Sequence, residues 1–424
     1  MKILVVNPGS TSIKFSLFDF APEAASTEPP RTLASGKIER IGASSAASPF
    51  KFILGEGASR RVIEGERPAP NYRAGLECIL EALSAPPNPP LANLASLDAV
   101  GFKAVHAGAL GRGPGATLLT PDVLDAMERY SLLAPAHNPP YLAVIRAFQE
   151  AAPRTPLGAL FEPAFHVTIP EERVTYGLPL EWRDRWGIQR YGFHGASHRY
   201  IAERIPQLLG LNGKDAADLR LISCHLGGSS SLCAIRGGRS VDTTFGFSPQ
   251  SGLLHSTRCE DMDPFVLLFA MKELGLSAED LGRILVRDSG LAGISGGASD
   301  FRDLWKQAEA PDADAARRAR LALEVFFYQV RRQIAAMAAA LEGADVICFT
   351  GGIGENGARE REAICSRLGW LGVRLDASAN AAARAIEQRI SAPDSPVQVW
   401  TCPTNEEWIV AREVGRLIHR GACA

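Results

Sequence analysis

The chain has 424 residues, 46% of them hydrophobic and 22% charged, with a formal net charge of −2. That length favours two domains, each able to bury its own core. The near-neutral balance, without a long block of like charge, argues against nucleic acid and membrane surfaces as partners.

In chain order, residues 2–7 read as a buried strand, and after a small-residue turn residues 13–19 alternate like its hairpin partner. The first apolar run, Ile3 to Val6, is broken by Asn7, Pro8 and Gly9. It is too short for a signal or spanning segment, so a cytoplasmic location is expected. Residues 21–30 and 86–90, rich in Pro, Ala, Ser or Glu, read as surface connections. Residues 121–133 read as a helix with Thr120 as N-cap. The domain boundary is expected near 153–157, before a strand at 158–161, giving domains 1–157 and 158–407. The strand, Gly/Ser turn, strand pattern returns at 219–243, an internal echo that points to a duplicated unit. A long helix is expected over 315–341, then a strand over 345–350 ending in a glycine turn at 351–356. The eight cysteines, Cys78, Cys224, Cys233, Cys259, Cys348, Cys365, Cys402 and Cys423, form no C-x-x-C pair, which predicts free thiols.

Three small-residue turns, at 7–12, 227–231 and 351–356, each follow an apolar strand. Glycine lets backbone N–H groups approach a phosphate and Ser or Thr adds donors, so three such turns together suit a polyphosphate cradle. Each alone is no more than a tight connection, and none is a Walker loop or a dinucleotide fingerprint. Lys14 offers a cation for phosphate oxygens, while Asn7 and the Glu406-Glu407 pair offer hard oxygens for a divalent cation; surface polarity explains these residues equally well. Six of the eight histidines, His106, His137, His166, His194, His198 and His225, fall in compact polar contexts. Single polar histidines are usually structural, but a group of them beside glycine turns suits phosphoryl transfer, where donors face developing negative charge.

Asn7-Pro8-Gly9-Ser10-Thr11-Ser12-Ile13-Lys14-Phe15, Ala134-Pro135-Ala136-His137-Asn138-Pro139, Phe165-His166, Arg190-Tyr191-Gly192-Phe193-His194-Gly195-Ala196-Ser197-His198, His225-Leu226-Gly227, Thr257-Arg258, Ser299-Asp300-Phe301-Arg302, the 351–356 turn and Pro403-Thr404-Asn405-Glu406-Glu407 stand in the order of the acetate kinase family's motifs, which the chain resembles over essentially its whole length. The resemblance implies an α/β fold of duplicated actin-like (ribonuclease H-like) domains facing an interdomain cleft, with residues 408–424 completing the first. It implies reversible phosphoryl transfer from ATP to acetate or propionate, giving ADP and an acyl phosphate, by a homodimer using Mg²⁺ or, in its place, Mn²⁺. Carried over residue by residue, Asn7 and Glu406 hold the metal; Glu162, His194 and Arg258 are catalytic. Lys14, the run His225, Leu226, Gly227, Gly228 and Ser229, the run Asp300, Phe301 and Arg302, and the run Gly352, Ile353, Gly354, Glu355 and Asn356 bind the nucleotide. Lys103, Val105, Ala136, Phe193 and Pro249 meet the carboxylic acid.

The chain departs from the family at several of these positions. Lys103 replaces an arginine that grips the substrate carboxylate, losing its two-pronged fork. Glu162 replaces an aspartate, setting the carboxylate one methylene further out. Ala136 stands where the family usually carries leucine, leaving room for extra methylenes worth about 0.8 kcal/mol each when buried. Two alternatives follow: a kinase for a larger carboxylate, or a nucleotide-binding member with impaired catalysis.

Overall fold

The computed structural model describes residues 1–9, 11–19, 30–42 and 47–422. Ser10, most of the 21–30 tract and Cys423 lie outside the described residues. The chain divides into two units, Met1–Val167 with Asn405–Ala424, and Thr168–Thr404.

In the first unit, an eight-stranded sheet runs in the order β5 (Arg61–Arg67), β4 (Ser48–Leu54), β3 (Arg31–Glu39), β2 (Ser12–Asp19), β1 (Lys2–Pro8), β6 (Ala99–Phe102), β8 (Leu157–Ala159), β7 (Thr117–Leu118). Strands β1 to β5 form an antiparallel meander, whereas β6 pairs parallel to β1 and β8 parallel to β6. Because β1 is interior, its run Ile3 to Val6 is fully buried; β2, with one face toward the core, alternates. The helices Tyr72–Ser84 and Asn138–Ala151 add Ile79, Leu83, Val144, Ile145 and Phe148 to the core. Asn71 caps the first of them by accepting from Ala74 N.

The C-terminal helix Glu406–Ala422 packs on β1, β6 and β8. Gly101 and Gly158 permit this close seating: a Cβ at Gly101 would lie 3.1 Å from Val410 Cγ1, and one at Gly158 would lie 3.3 Å from Val414. The seating carries Glu406 and Glu407 to the carboxyl ends of the parallel strands.

In the second unit, a six-stranded sheet runs β11 (Arg239–Thr243), β10 (Ser231–Arg236), β9 (Arg220–His225), β12 (Val346–Thr350), β14 (Gln398–Thr401), β13 (Gln388–Arg389). Its grammar repeats that of the first: β9, β10 and β11 are an antiparallel meander, and β12 and β14 follow in parallel. The helix Ala313–Leu341, capped by Asp312 and closed by Glu342 in the left-handed region, lays Phe326, Phe327, Val330 and Ile334 against the sheet.

Four expectations are amended. The boundary expected at 157/158 falls inside β8, whose pairing with β6 makes it part of the first sheet; the units divide at 167/168 and 404/405. The helix expected over 121–133 is Pro121–Arg129 followed by a 3₁₀ turn, and Thr120 makes no side-chain cap bond. Proline at its first position presets the helical φ and lacks only an N–H that would have no partner within the helix. The strand expected over 158–161 pairs as Leu157–Ala159, one residue earlier and shorter. The turn expected at 351–356 is the short helix Gly351–Asn356. Gly351, at φ +75°, breaks the strand, and Ile353 N and Gly354 N then both donate to Leu226 O, winding the chain.

Candidate active site

In the first unit, chemistry gathers at the carboxyl ends of the parallel strands, where open α/β sheets place ligands. Asn7 is near the end of β1, and Lys103 follows β6 directly. Glu162 opens the 3₁₀ segment Glu162–Thr168 after β8. Leu160 N donates to Phe102 O and Glu162 N to Ala104 O, extending the ladder past both strands and setting Lys103 beside Glu162. Lys103 Nζ lies 2.9 Å from Glu406 Oε2 and 3.3 Å from Glu162 Oε1. Burial alone would lower the lysine's pKa, but the carboxylates of Glu406 and Glu162 more than offset it and hold the ammonium well above its ordinary value. Behind them Tyr141 is buried, and burial pushes its phenol well up.

Asn7 Nδ2 donates to Glu407 Oε1 at 3.2 Å, while its Oδ1 is buried with no hydrogen-bond partner among the described residues. Glu162 and Glu406 meet Lys103, and Glu407 meets Asn7, so three carboxyl groups gather here. An orphaned amide oxygen beside carboxylates offers the hard oxygen donors that a divalent cation takes. Among the described residues no three His, Cys, Asp or Glu groups form a complete metal cage. Few protein donors suit Mg²⁺, which keeps several of its waters. Lys14 stands directly opposite Asn7 in the β1–β2 register and is exposed. Val105 is buried and Ala136 exposed.

In the second unit, a cavity of about 950 Å³ is walled by Gly227, Gly228, Asp300, Phe301, Arg302, Gly352, Ile353 and Asn356, all expected from the sequence. The size fits a nucleotide-scale ligand. Asp300 caps the helix Phe301–Ala308 through Arg302 N at 2.8 Å and takes the Arg302 guanidinium on both oxygens. That hydrogen bonding holds its carboxyl below the usual range. Phe301 packs inward on Phe326.

Leu226, Gly354 and Glu355, also expected at the nucleotide, make contacts that support this wall. Leu226 O anchors the Gly351–Asn356 helix, and Gly354 packs against the backbone of Phe349. Glu355 Oε1 accepts from Gly351 N at 3.0 Å and Thr404 N at 3.2 Å. His225 and Ser229 bracket the Gly227-Gly228 turn.

The sequence did not disclose the rest of the lining. Arg359 lies 3.9 Å above the Trp305 ring, and Trp305 Nε1 donates to Glu360 Oε1 at 2.7 Å; Lys306 and Arg384 complete it. Trp305 sits one turn after Phe301, the only local signal that could have found it.

His194 has φ +55° and heads the helix Gly195–Leu208. Its ring stacks on His225 at 4.1 Å and 29°, and its Nδ1 lies 2.8 Å from Ser231 Oγ. Phe193 and Pro249 are buried nearby in sequence to His194 and Arg258 respectively. Arg258 is partly buried, and burial lowers its pKa to about 10, leaving it charged at neutral pH. Beside it His255 is neutral: burial, then the Arg258 charge, pushes it well below its ordinary value. Its Nδ1 accepts from Ser230 N at 3.1 Å and its Nε2–H donates to Ser251 O at 3.2 Å, tying the arginine's segment to the Gly/Ser turn.

Comparison with known proteins places this arrangement. The acetokinase family pattern matches residues 2–412. An acetate kinase of Clostridium botulinum (strain 657 / Type Ba4) is 41% identical over 413 residues, 97% of this chain and 98% of the relative. One of Carboxydothermus hydrogenoformans is 41% identical over 418 residues, 99% of each. Among solved structures, the Porphyromonas gingivalis acetate kinase superposes with a TM-score of 0.82 at 33% identity, covering 98% of this chain and 99% of that one. A propionate kinase from Francisella tularensis superposes at 0.82 with 31% identity, covering 97% and 98%. The repeated sheets, the strand-end cluster and the glycine-walled cavity are therefore those of a chain that belongs to the acetokinase family.

Proposed function

We propose that this protein is an ATP-dependent short-chain carboxylate kinase that forms an acyl phosphate by direct in-line transfer. The observation that carries the reading is the end-to-end match to acetate kinases at 41% identity. A carboxylate is already ionised at neutral pH and needs no general base. One carboxylate oxygen forms a bond to the γ-phosphorus as the bond from that phosphorus to the bridging oxygen breaks, and ADP departs with that electron pair. Catalysis then consists of positioning and charge.

In this reading the Gly227-Gly228 turn, Asp300 to Arg302 and Gly352 to Asn356 hold the nucleotide, with Lys14 toward its phosphates. His194 and Arg258 meet the charge spread over the transferring group. Lys103 and Glu162 orient the acid, and Val105, Ala136, Phe193 and Pro249 meet its alkyl chain. Asn7 and Glu406 fit Mg²⁺, which when bound would neutralise phosphate charge. The homodimer is proposed with it: the helix Phe265–Glu273 exposes Phe265, Val266, Leu268, Phe269 and Met271, an apolar face a second copy would cover.

The test is acyl-hydroxamate trapping with ATP, Mg²⁺ and formate, acetate, propionate or butyrate. With alanine at 136, propionate or butyrate is expected to equal or exceed acetate in kcat/KM. A clear advantage for acetate would contradict the enlarged pocket.

A further inference from the structure

A neutral imidazole carries one proton on two nitrogens, and the group facing one nitrogen decides what the other presents. Nδ1 of His194 lies 2.8 Å from Ser231 Oγ. The same oxygen lies 2.9 Å from Nε2 of His198, whose Nδ1 is 2.9 Å from Ser223 Oγ. Ser223, Ser231 and His198 have no exposed surface, so this chain is sealed from water behind His194.

Its direction is set at the inner end. Among the described residues Ser223 Oγ meets no polar partner but His198 Nδ1, so its proton goes to that nitrogen. The reverse direction would strand a buried hydroxyl proton without an acceptor, which native interiors rarely tolerate. With Nδ1 accepting, His198 carries its proton on Nε2 and donates to Ser231. Ser231 is left with its own proton to give, and His194 Nδ1 receives it.

We infer that Ser223, His198 and Ser231 form a buried positioning relay that locks His194 in its Nε2–H tautomer, so that the ring presents a donor to anionic oxygen. The relay's use in turnover rests on the kinase reading; the tautomer does not. The neighbouring ring obeys the same rule. Ser197, also without exposed surface, lies 2.8 Å from His225 Nδ1 and meets no other polar partner among the described residues. Its proton fixes Nε2–H on His225 as well. The two stacked rings thus hold matching tautomers, and neither spends a lone pair on phosphate.

The experiment is ¹⁵N NMR of the full chain labelled at histidine, with His194 assigned by its loss in His194→Gln. Near neutral pH, Nδ1 of His194 should show the unprotonated and Nε2 the protonated shift. Ser231→Ala should move both toward a tautomer average and lower kcat about ten- to a hundredfold with KM for ATP nearly unchanged, the scale of losing orientation rather than binding. Ser231→Thr, which keeps the hydroxyl, should restore both. If Ser231→Ala does not fold, Ser223→Ala should shift His198 toward Nδ1–H. A wild-type His194 protonated on Nδ1, or a tautomer and kcat indifferent to Ser231→Ala, would overturn the relay. An Nε2–H tautomer in a protein that forms no acyl phosphate would uphold the relay and refute the kinase reading instead.

Discussion

Lys103 sits 2.9 Å from Glu406 and 3.3 Å from Glu162, with 19% of its side chain exposed against 18% and 5% for the two acids. A lysine ammonium is a point charge on a flexible stem, and it serves both carboxylates where an arginine would present a planar fork. The exchange of arginine for lysine and aspartate for glutamate was visible in the sequence, but not that the shorter cation reaches the longer acid. That depends on β6 and β8 being parallel neighbours, which pairing decides and spacing along the chain does not. Removing the cation would leave the acids facing one another in a largely dry site. Lys103→Met should therefore lose about 3 kcal/mol of stability in urea unfolding, the scale for breaking a buried ion pair. It should also abolish acyl-phosphate formation, while Lys103→Arg keeps the stability. A Lys103→Met protein as stable as wild type would show that the contact contributes nothing.

At the scale of elements, the second unit sets its glycines at the carboxyl ends of β9 and β12, where the backbone of the Gly351–Asn356 helix is tied to Leu226 O. The turns were legible because glycines after an apolar run have few other uses. That 351–356 winds into a helix was not, because the winding depends on Leu226 O, which comes from the neighbouring strand end. Nor was the pairing of Trp305 with Arg359 in the cavity lining legible, since they belong to separate helices that only the fold brings together. The stacked indole and guanidinium form a flat, partly cationic surface suited to a nucleobase. Trp305→Ala is expected to raise KM for ATP about tenfold, equivalent to about 1.4 kcal/mol, with KM for the carboxylic acid unchanged. Steady-state kinetics with each substrate varied in turn decides this; equal effects on both constants would remove the residue from the nucleotide site.

At the scale of the whole molecule, the duplication was the most legible feature. Two antiparallel meanders, each followed by parallel strands, leave the same strand, turn, strand signature in the sequence, and the structure repeats it in two separately cored units. The boundary is less legible, because a three-residue strand declares its sheet only through its partner. Seven of the cysteines are free thiols, six of them buried, consistent with packing. No helix among the described residues is long and apolar enough to cross a membrane. The central claim is carboxylate kinase activity, and trapping the product tests it most directly. With ATP, Mg²⁺ and propionate or acetate, the purified protein should yield acyl-hydroxamate in proportion to ADP, and Arg258→Ala should yield neither. ADP and orthophosphate without hydroxamate, or ATP bound and left intact with every acid, would contradict a carboxylate kinase.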